Sequence, residues 1–146
     1  REDAWLSIYG CLDRCDSLSF LSDACRSWEE APQNLTVAMA GDQRAGILQL
    51  DPQRSAQEKK GYVSFLYLTP EQRHKGVGVQ LIGKAVSLYR PQGRDCLKLS
   101  CSEVNDAALS FYEKYGFRRT GTTSGAYGAL YEMEKYIGYD SQGALL

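Results

Sequence analysis

The chain has 146 residues, 43% hydrophobic and 24% charged, which suits one compact domain with its own core and excludes global disorder. Its formal net charge of −1 lacks the basic excess of a non-specific nucleic-acid binder, and no run of about 20 apolar residues is present to span a membrane. Five cysteines (Cys11, Cys15, Cys25, Cys96 and Cys101), with no C-x-x-C pair and a single histidine, read as reduced thiols of a cytoplasmic chain without a metal site.

Residues 3–30 read as helical, because Trp5, Leu6, Tyr9, Leu12, Leu18, Phe20, Leu21, Ala24 and Trp28 recur at three- and four-residue spacings. Asp16 or Ser17 is placed to cap a second helix, so one helix or two is open. Pro32 breaks the pattern. Leu35 to Ala40 and Ala45 to Leu50 read as strands joined at Gly41-Asp42, and residues 51–61 form a polar loop. Tyr62 to Leu68 is rich in aromatic and aliphatic residues and reads as a central strand ending at Thr69-Pro70. After a glycine-rich turn at Gly76 to Gly78, a helix carries Val79, Ile82, Val86 and Tyr89 on one face, with Leu81, Ala85 and Leu88 beside it, until Pro91. Leu97 to Cys101 is a short strand. Asn105 is a natural N-cap for a helix with Ala108, Phe111, Tyr112 and Tyr115 on one face, and Gly116 is placed to end it. Strands near Phe117 to Thr122 and Ala129 to Tyr136 follow. This order predicts one α/β (α+β) domain over residues 1–146, with a mixed sheet. It divides into helices at 1–31, a hairpin, strand and turn–helix at 34–90, and a C-terminal half at 96–146.

Most of the chemistry lies between Leu66 and Val79. A strand runs into a glycine turn and then a helix. Glycines let backbone approach a ligand, and free N–H groups at a helix start favour an anion. Arg73, His74 and Lys75 add positive charge, so the segment suits a pyrophosphate. A nucleotide P-loop fails at Ala85, which stands where a hydroxyl should hold magnesium, and a dinucleotide fingerprint fails at Leu81, where a third glycine belongs.

The same segment resembles motif A of the GNAT acetyltransferases, Q/R-x-x-G-x-G/A. Arg73, Gly76 and Gly78 match it, and Leu66, Leu68 and Pro70 match its lead-in. The run from Asn105 to Phe117 is similar to motif B of that family, N-x-x-A-x-x-F/L-Y-x-x-x-G-F, at every specified position. The resemblance covers about residues 35 to 136. It implies a GNAT-like, mostly antiparallel central sheet flanked by helices, with a splayed pair at strands 4 and 5 of that fold and a first strand that is short or missing. More faintly, Gln49-Leu50-Asp51 and Ser64 to Tyr67 resemble GNAT domains fused behind phosphoglycerate-mutase-like modules. That would put a further domain upstream in a longer bacterial chain.

What the resemblance implies chemically is transfer of an acetyl group from acetyl-CoA to a primary amine, directly and within a ternary complex. Leu66, Tyr67 and Leu68 would offer main-chain groups to the pantetheine arm. Gln72, Arg73, His74, Lys75, Gly76, Val77, Gly78 and Val79 would hold the pyrophosphate. Asn105 and Ala108 would sit at the pantetheine arm, and Lys114 at the nucleotide end. Tyr112 is the candidate general acid, since a phenol near pKa 10 is protonated at neutral pH and can protonate a leaving thiolate. Glu29, Glu30 and Glu103, or a water chain ending on backbone carbonyls, are the base candidates, none singled out. Trp5, Tyr9, Trp28, Glu29, Glu30, Tyr127 and Tyr131, aromatics with acids, would suit a cationic acceptor or simple packing. Cys101, at the end of the strand before motif B, is expected to serve core packing rather than act as a nucleophile. The alternative is a non-catalytic acyl-CoA-binding or interaction module on the same fold. An open strand edge leaves homodimerisation available.

Overall fold

The computed structural model describes Glu29, residues 31–125 and residues 128–138. The expected N-terminal helices, with Trp5, Tyr9, Trp28 and Glu30, lie outside these residues, as does Tyr127. Among the described residues six strands form one mixed sheet in the order β1-β2-β3-β4-β6-β5: β1 (Leu35–Ala40), β2 (Gln43–Asp51), β3 (Lys60–Leu68), β4 (Cys96–Ser102), β5 (Arg118–Gly125) and β6 (Gly128–Tyr136). Two α-helices among the described residues accompany it, α1 (Val77–Tyr89) and α2 (Asp106–Lys114). Each expected strand is present and most run longer than expected, because ladder bonds extend a strand past its apolar stretch. The chain divides into two compact units, Arg1–Gln49 with Phe65–Leu81, and Leu50–Ser64 with Ile82–Leu146.

In the first unit β1 and β2 pair antiparallel, with Gly41 at φ 62° in the turn and a register shift between Ala38 and Met39. β2 turns Ala45 and Leu48 inward, 1% exposed each. Gly46 lies between them for a steric reason. A Cβ there would stand 2.6 Å from the Tyr67 carbonyl oxygen and 2.7 Å from Leu68 Cδ2, so only glycine admits this approach of the two strands.

In the second unit β4 pairs with β6 and β5 with β6, both antiparallel, while β3 pairs with β4 in parallel. The β3–β4 ladder joins Lys60, Gly61 and Tyr62 to Cys96, Leu97 and Lys98. Leu97, Leu99 and Met133 form the buried face of these strands, with Leu109 and Phe117 also in the core. Gly61 makes room for α1. The Tyr89 ring lies where a Cβ on Gly61 would be, at 2.3 Å, and its hydroxyl donates to the Tyr62 carbonyl at 2.6 Å. Arg94 ties the loop before β3 to this corner, donating to the Lys60 and Pro52 carbonyls at 2.7 and 2.8 Å.

The helices obey their local signals, with one correction. α1 buries Leu81, Ile82, Ala85 and Tyr89, while Val79 is 38% exposed and Val86 and Leu88 are half-buried. The inward stripe is therefore centred on Leu81 and Ala85 rather than on Val79 and Val86. The P-loop-like stretch is helical throughout. α2 begins at Asn105, whose side chain accepts from the Ala108 N–H at 3.2 Å. It ends in a Schellman motif: Gly116 sits at φ 93°, its N–H donates to Glu113, and the Phe117 N–H donates to Tyr112 at 3.0 Å.

Candidate active site

The candidate residues fall into two sets, one in each unit. The first is the turn that leads β3 into α1. Thr69 is fixed by its N–H and hydroxyl, both donating to the Ala45 carbonyl. Pro70–Gln72 makes one 3-10 turn, and the helix then starts at Val77, so Gly78 is its second residue rather than part of the turn. Between them His74 has φ 63° and Gly76 φ 83°. Left-handed backbone at a non-glycine residue costs free energy, and such residues concentrate at ligand sites. Alternation of this kind turns successive N–H groups toward one side, which makes an anion-binding concavity. A Cβ on Gly76 would meet nothing within 4 Å, so the turn is open at this residue. His74, Lys75 and Gly76 are exposed, and the first turn of α1 carries no acidic residue to compete for its N–H groups.

Arg73 does a different task from its neighbours. Its Nε donates to the Leu68 carbonyl at 3.2 Å, and its guanidinium lies 5.5 Å from the Tyr67 ring centroid. It therefore braces the turn against β3 and occupies one of the main-chain groups assigned to the pantetheine arm. Tyr67 also stacks on Phe65 at 6.4 Å.

The second set lies on and beside α2. Tyr112 is buried, with Phe111 and Phe117 edge-on to its ring at 5.4 Å each. Burial holds its phenol well above the ordinary tyrosine value, and the neighbouring Cys101 adds to that shift. The hydroxyl thus keeps its proton at neutral pH. Cys101 is buried and free, and burial pushes its thiol up to about 11 against the pull of Arg119. Such a thiol is a packing group with little thiolate at neutral pH. Ala108 is half-buried, and Lys114 is exposed with its ammonium 5.5 Å from the Tyr115 ring. Glu29 and Glu103 are exposed. Tyr131 lies under the Arg119 guanidinium at 4.4 Å, and Arg119 also pairs with Glu113 at 2.9 Å.

The opposite face of the same strands is polar. The Tyr62 hydroxyl meets Ser100 Oγ at 3.1 Å, Lys98 approaches Glu132 at 3.9 Å, and Lys60 pairs with Glu134 and with Glu58. None of these was singled out from sequence. The available signal was the period-two spacing of Glu132 and Glu134, which places both on one face of a strand. Among the described residues no group of three His, Cys, Asp or Glu side chains converges as a metal site would, and no helix is long and apolar enough to cross a membrane.

The profile of the Acetyltransferase (GNAT) family matches residues 4–117. Among curated proteins the chain is similar to N-alpha-acetyltransferase 30 of Xenopus laevis, 31% identical over 60% of this chain and 33% of that one. It is also similar to N-acetyltransferase family 8 member 2 of Rattus norvegicus, 25% identical over 80% of this chain and 52% of that one. The chain thus spans a third to about half of the length of these relatives. Among solved structures it resembles the PaiA N-acetyltransferase of Thermoplasma acidophilum in complex with coenzyme A, with a TM-score of 0.70, 23% identity and coverage of 92% of this chain and 86% of that one. The last likeness is one of fold.

Proposed function

Because this chain belongs to the GNAT acetyltransferase family, we propose that it transfers an acetyl group from acetyl-CoA to a primary amine, directly and in a ternary complex. The observation that carries this reading is the turn from Arg73 to Gly76, with its left-handed His74 and Gly76, exposed cations and the start of α1. It is built to receive a pyrophosphate, and coenzyme A carries one. The neighbour solved with coenzyme A supports the same ligand. Gln72 to Val79 would hold the pyrophosphate, Leu66 to Leu68 with Asn105 and Ala108 the pantetheine arm, and Lys114 the nucleotide end.

When bound, acetyl-CoA supplies an activated thioester. The amine nitrogen forms the new C–N bond as the C–S bond breaks, and the Tyr112 phenol gives its proton to the departing thiolate. Burial keeps that phenol protonated at neutral pH, so it has a proton to give, and the same burial makes it a weak acid. The relatives named as N-alpha-acetyltransferases support testing α-amino groups of peptides first. The free thiols at Cys96 and Cys101 support a reducing, cytoplasmic setting.

The test is thermal unfolding with and without acetyl-CoA. A ligand at about 100 times its Kd stabilises by about 2.7 kcal/mol, roughly 5 to 10 °C for a domain this size. A shift of that order is expected, followed by thiol release when amines are added. An unchanged Tm at saturating acetyl-CoA would remove the basis of the proposal. A shift without turnover on any amine would favour a non-catalytic acyl-CoA-binding module.

A further inference from the structure

Transfer to an amine needs a group to take a proton from the acceptor ammonium, and the structure points to a carboxylate for that task. β4 continues for four residues past its last ladder partner on β3, from Leu99 to Ser102, and there it pairs with β6 alone. The two faces of this stretch differ. On one, Cys101 is buried beside Tyr112 and Leu99 stands opposite Met133. On the other, Ser100 accepts or donates to the Tyr62 hydroxyl, and Glu132 of β6 stands directly opposite Ser100 in register. Residues directly opposite in an antiparallel pair share a face. The proposed acid and Glu132 therefore flank the same stretch of β4 from its two sides.

Other carboxylates in this unit are less suited. Glu134 is held in a close ion pair by Lys60, Glu113 is paired with Arg119 on the surface, and Glu103 is exposed at the strand end. Glu132 also has an ion pair, to Lys98, but at 3.9 Å it is the loosest of these, and its side chain is 32% exposed. Its place also depends on an absent side chain across the next strand. Gly121 of β5 stands opposite Glu132, and a Cβ there would lie 3.1 Å from Glu132 Oε2. The charged groups around it are Lys98 on β4, Arg118 on β5, and Glu134 on its own strand with Lys60 of β3 beyond.

Building on the acetyl-transfer reading, we propose that Glu132 is the catalytic base, taking a proton from the acceptor ammonium on the face of β4 opposite Tyr112. The ammonium gives one proton to the Glu132 carboxylate. The neutral amine then attacks the thioester carbon, the C–N bond forms and the C–S bond breaks, and the thiolate takes the Tyr112 proton. The second amine proton, lost as the amide forms, passes through water to restore the tyrosine. The proton on Glu132 leaves to solvent, so one amide, one thiol and one proton result from an ammonium and a thioester.

The test measures thiol release from acetyl-CoA with trialanine and with butylamine, as a function of pH, for the whole chain and for Glu132→Gln, Glu132→Asp, Gly121→Ala and Glu134→Gln. Glu132→Gln should lower kcat/KM about 100-fold at neutral pH. It should keep the acetyl-CoA thermal shift, and its deficit should shrink as pH rises toward the pKa of the amine, where solvent supplies the free base. Glu132→Asp should recover part of the rate. Gly121→Ala, whose Cβ would crowd Glu132 Oε2, should show a smaller loss with the same pH dependence, and it keeps the test open if Glu132→Gln folds poorly. Glu134→Gln should alter stability without that pH signature. An active parent chain with a Glu132→Gln variant of unchanged rate and pH profile overturns the role of Glu132 alone. A parent chain inactive on both amines overturns the acetyl-transfer reading and this role with it.

Discussion

At the residue scale, burial fixes the protonation state of Tyr112. A phenol that can ionise readily could serve as base or acid. One closed in by Phe111, Phe117 and the thiol of Cys101 is held above the ordinary tyrosine pKa and keeps its proton. Tyr112→Phe removes only the hydroxyl and leaves both aromatic contacts. It should lower turnover about 100-fold with the acetyl-CoA thermal shift retained. Equal turnover in the two proteins would assign Tyr112 to packing. The identity and spacing of Tyr112 were legible in sequence, through Asn105 and Gly116 at fixed offsets. Its burial against Cys101 was not, because that contact depends on how α2 lies on β4.

At the element scale, two glycines set how closely chain segments approach. Gly41, Gly76 and Gly116 meet needs of their own backbone, each with positive φ. Gly46 and Gly61 instead make room for other elements, the end of β3 in one case and the Tyr89 ring in the other. Gly61→Ala would force the Tyr89 ring off the strand and strain its bond to the Tyr62 carbonyl. Overpacking of this kind costs about 1–3 kcal/mol. The measured check is a double-mutant cycle with Tyr89→Leu. The alanine should cost much less once the ring is gone, and strictly additive losses would mean that the ring is not what Gly61 accommodates. Sequence periodicity found α1 but centred its buried stripe wrongly, since Val79 and Val86 satisfy a helical period as well as Leu81 and Ala85 do. The sheet decides between such neighbouring faces, and apolar spacing alone does not.

At the scale of the whole molecule, the polar sheet face adds a pH-dependent increment to stability. Burial acts to raise the Glu134 pKa, but hydrogen bonds from Lys60 and Thr120 outweigh it and the value falls below the ordinary one. A carboxylate lowered on folding stabilises above its unfolded pKa of about 4.3 and loses that contribution as pH falls through its folded value. Lys60 is raised, chiefly by its hydrogen bond to Glu134, so its share is lost only on the strongly alkaline side. Glu134→Gln should therefore lower Tm near neutral pH, and the gap to the parent chain should close as pH falls below about 4. A gap that stays constant into acid would mean that the pair contributes nothing through charge. The amino-acid sequence by itself determined the order of strands and helices, the cap at Asn105, the stop at Gly116, the glycine turn and the family to which these motifs belong. Those signals act within a few residues of each other, so they survive without knowledge of the fold. Only the tertiary structure decided that Gly46 and Gly61 are sites of close approach, that Arg73 braces its turn, and that Glu132 faces Ser100. Strand register and helix docking bring together residues far apart in the chain, and a shift of one residue would send each side chain to the other face.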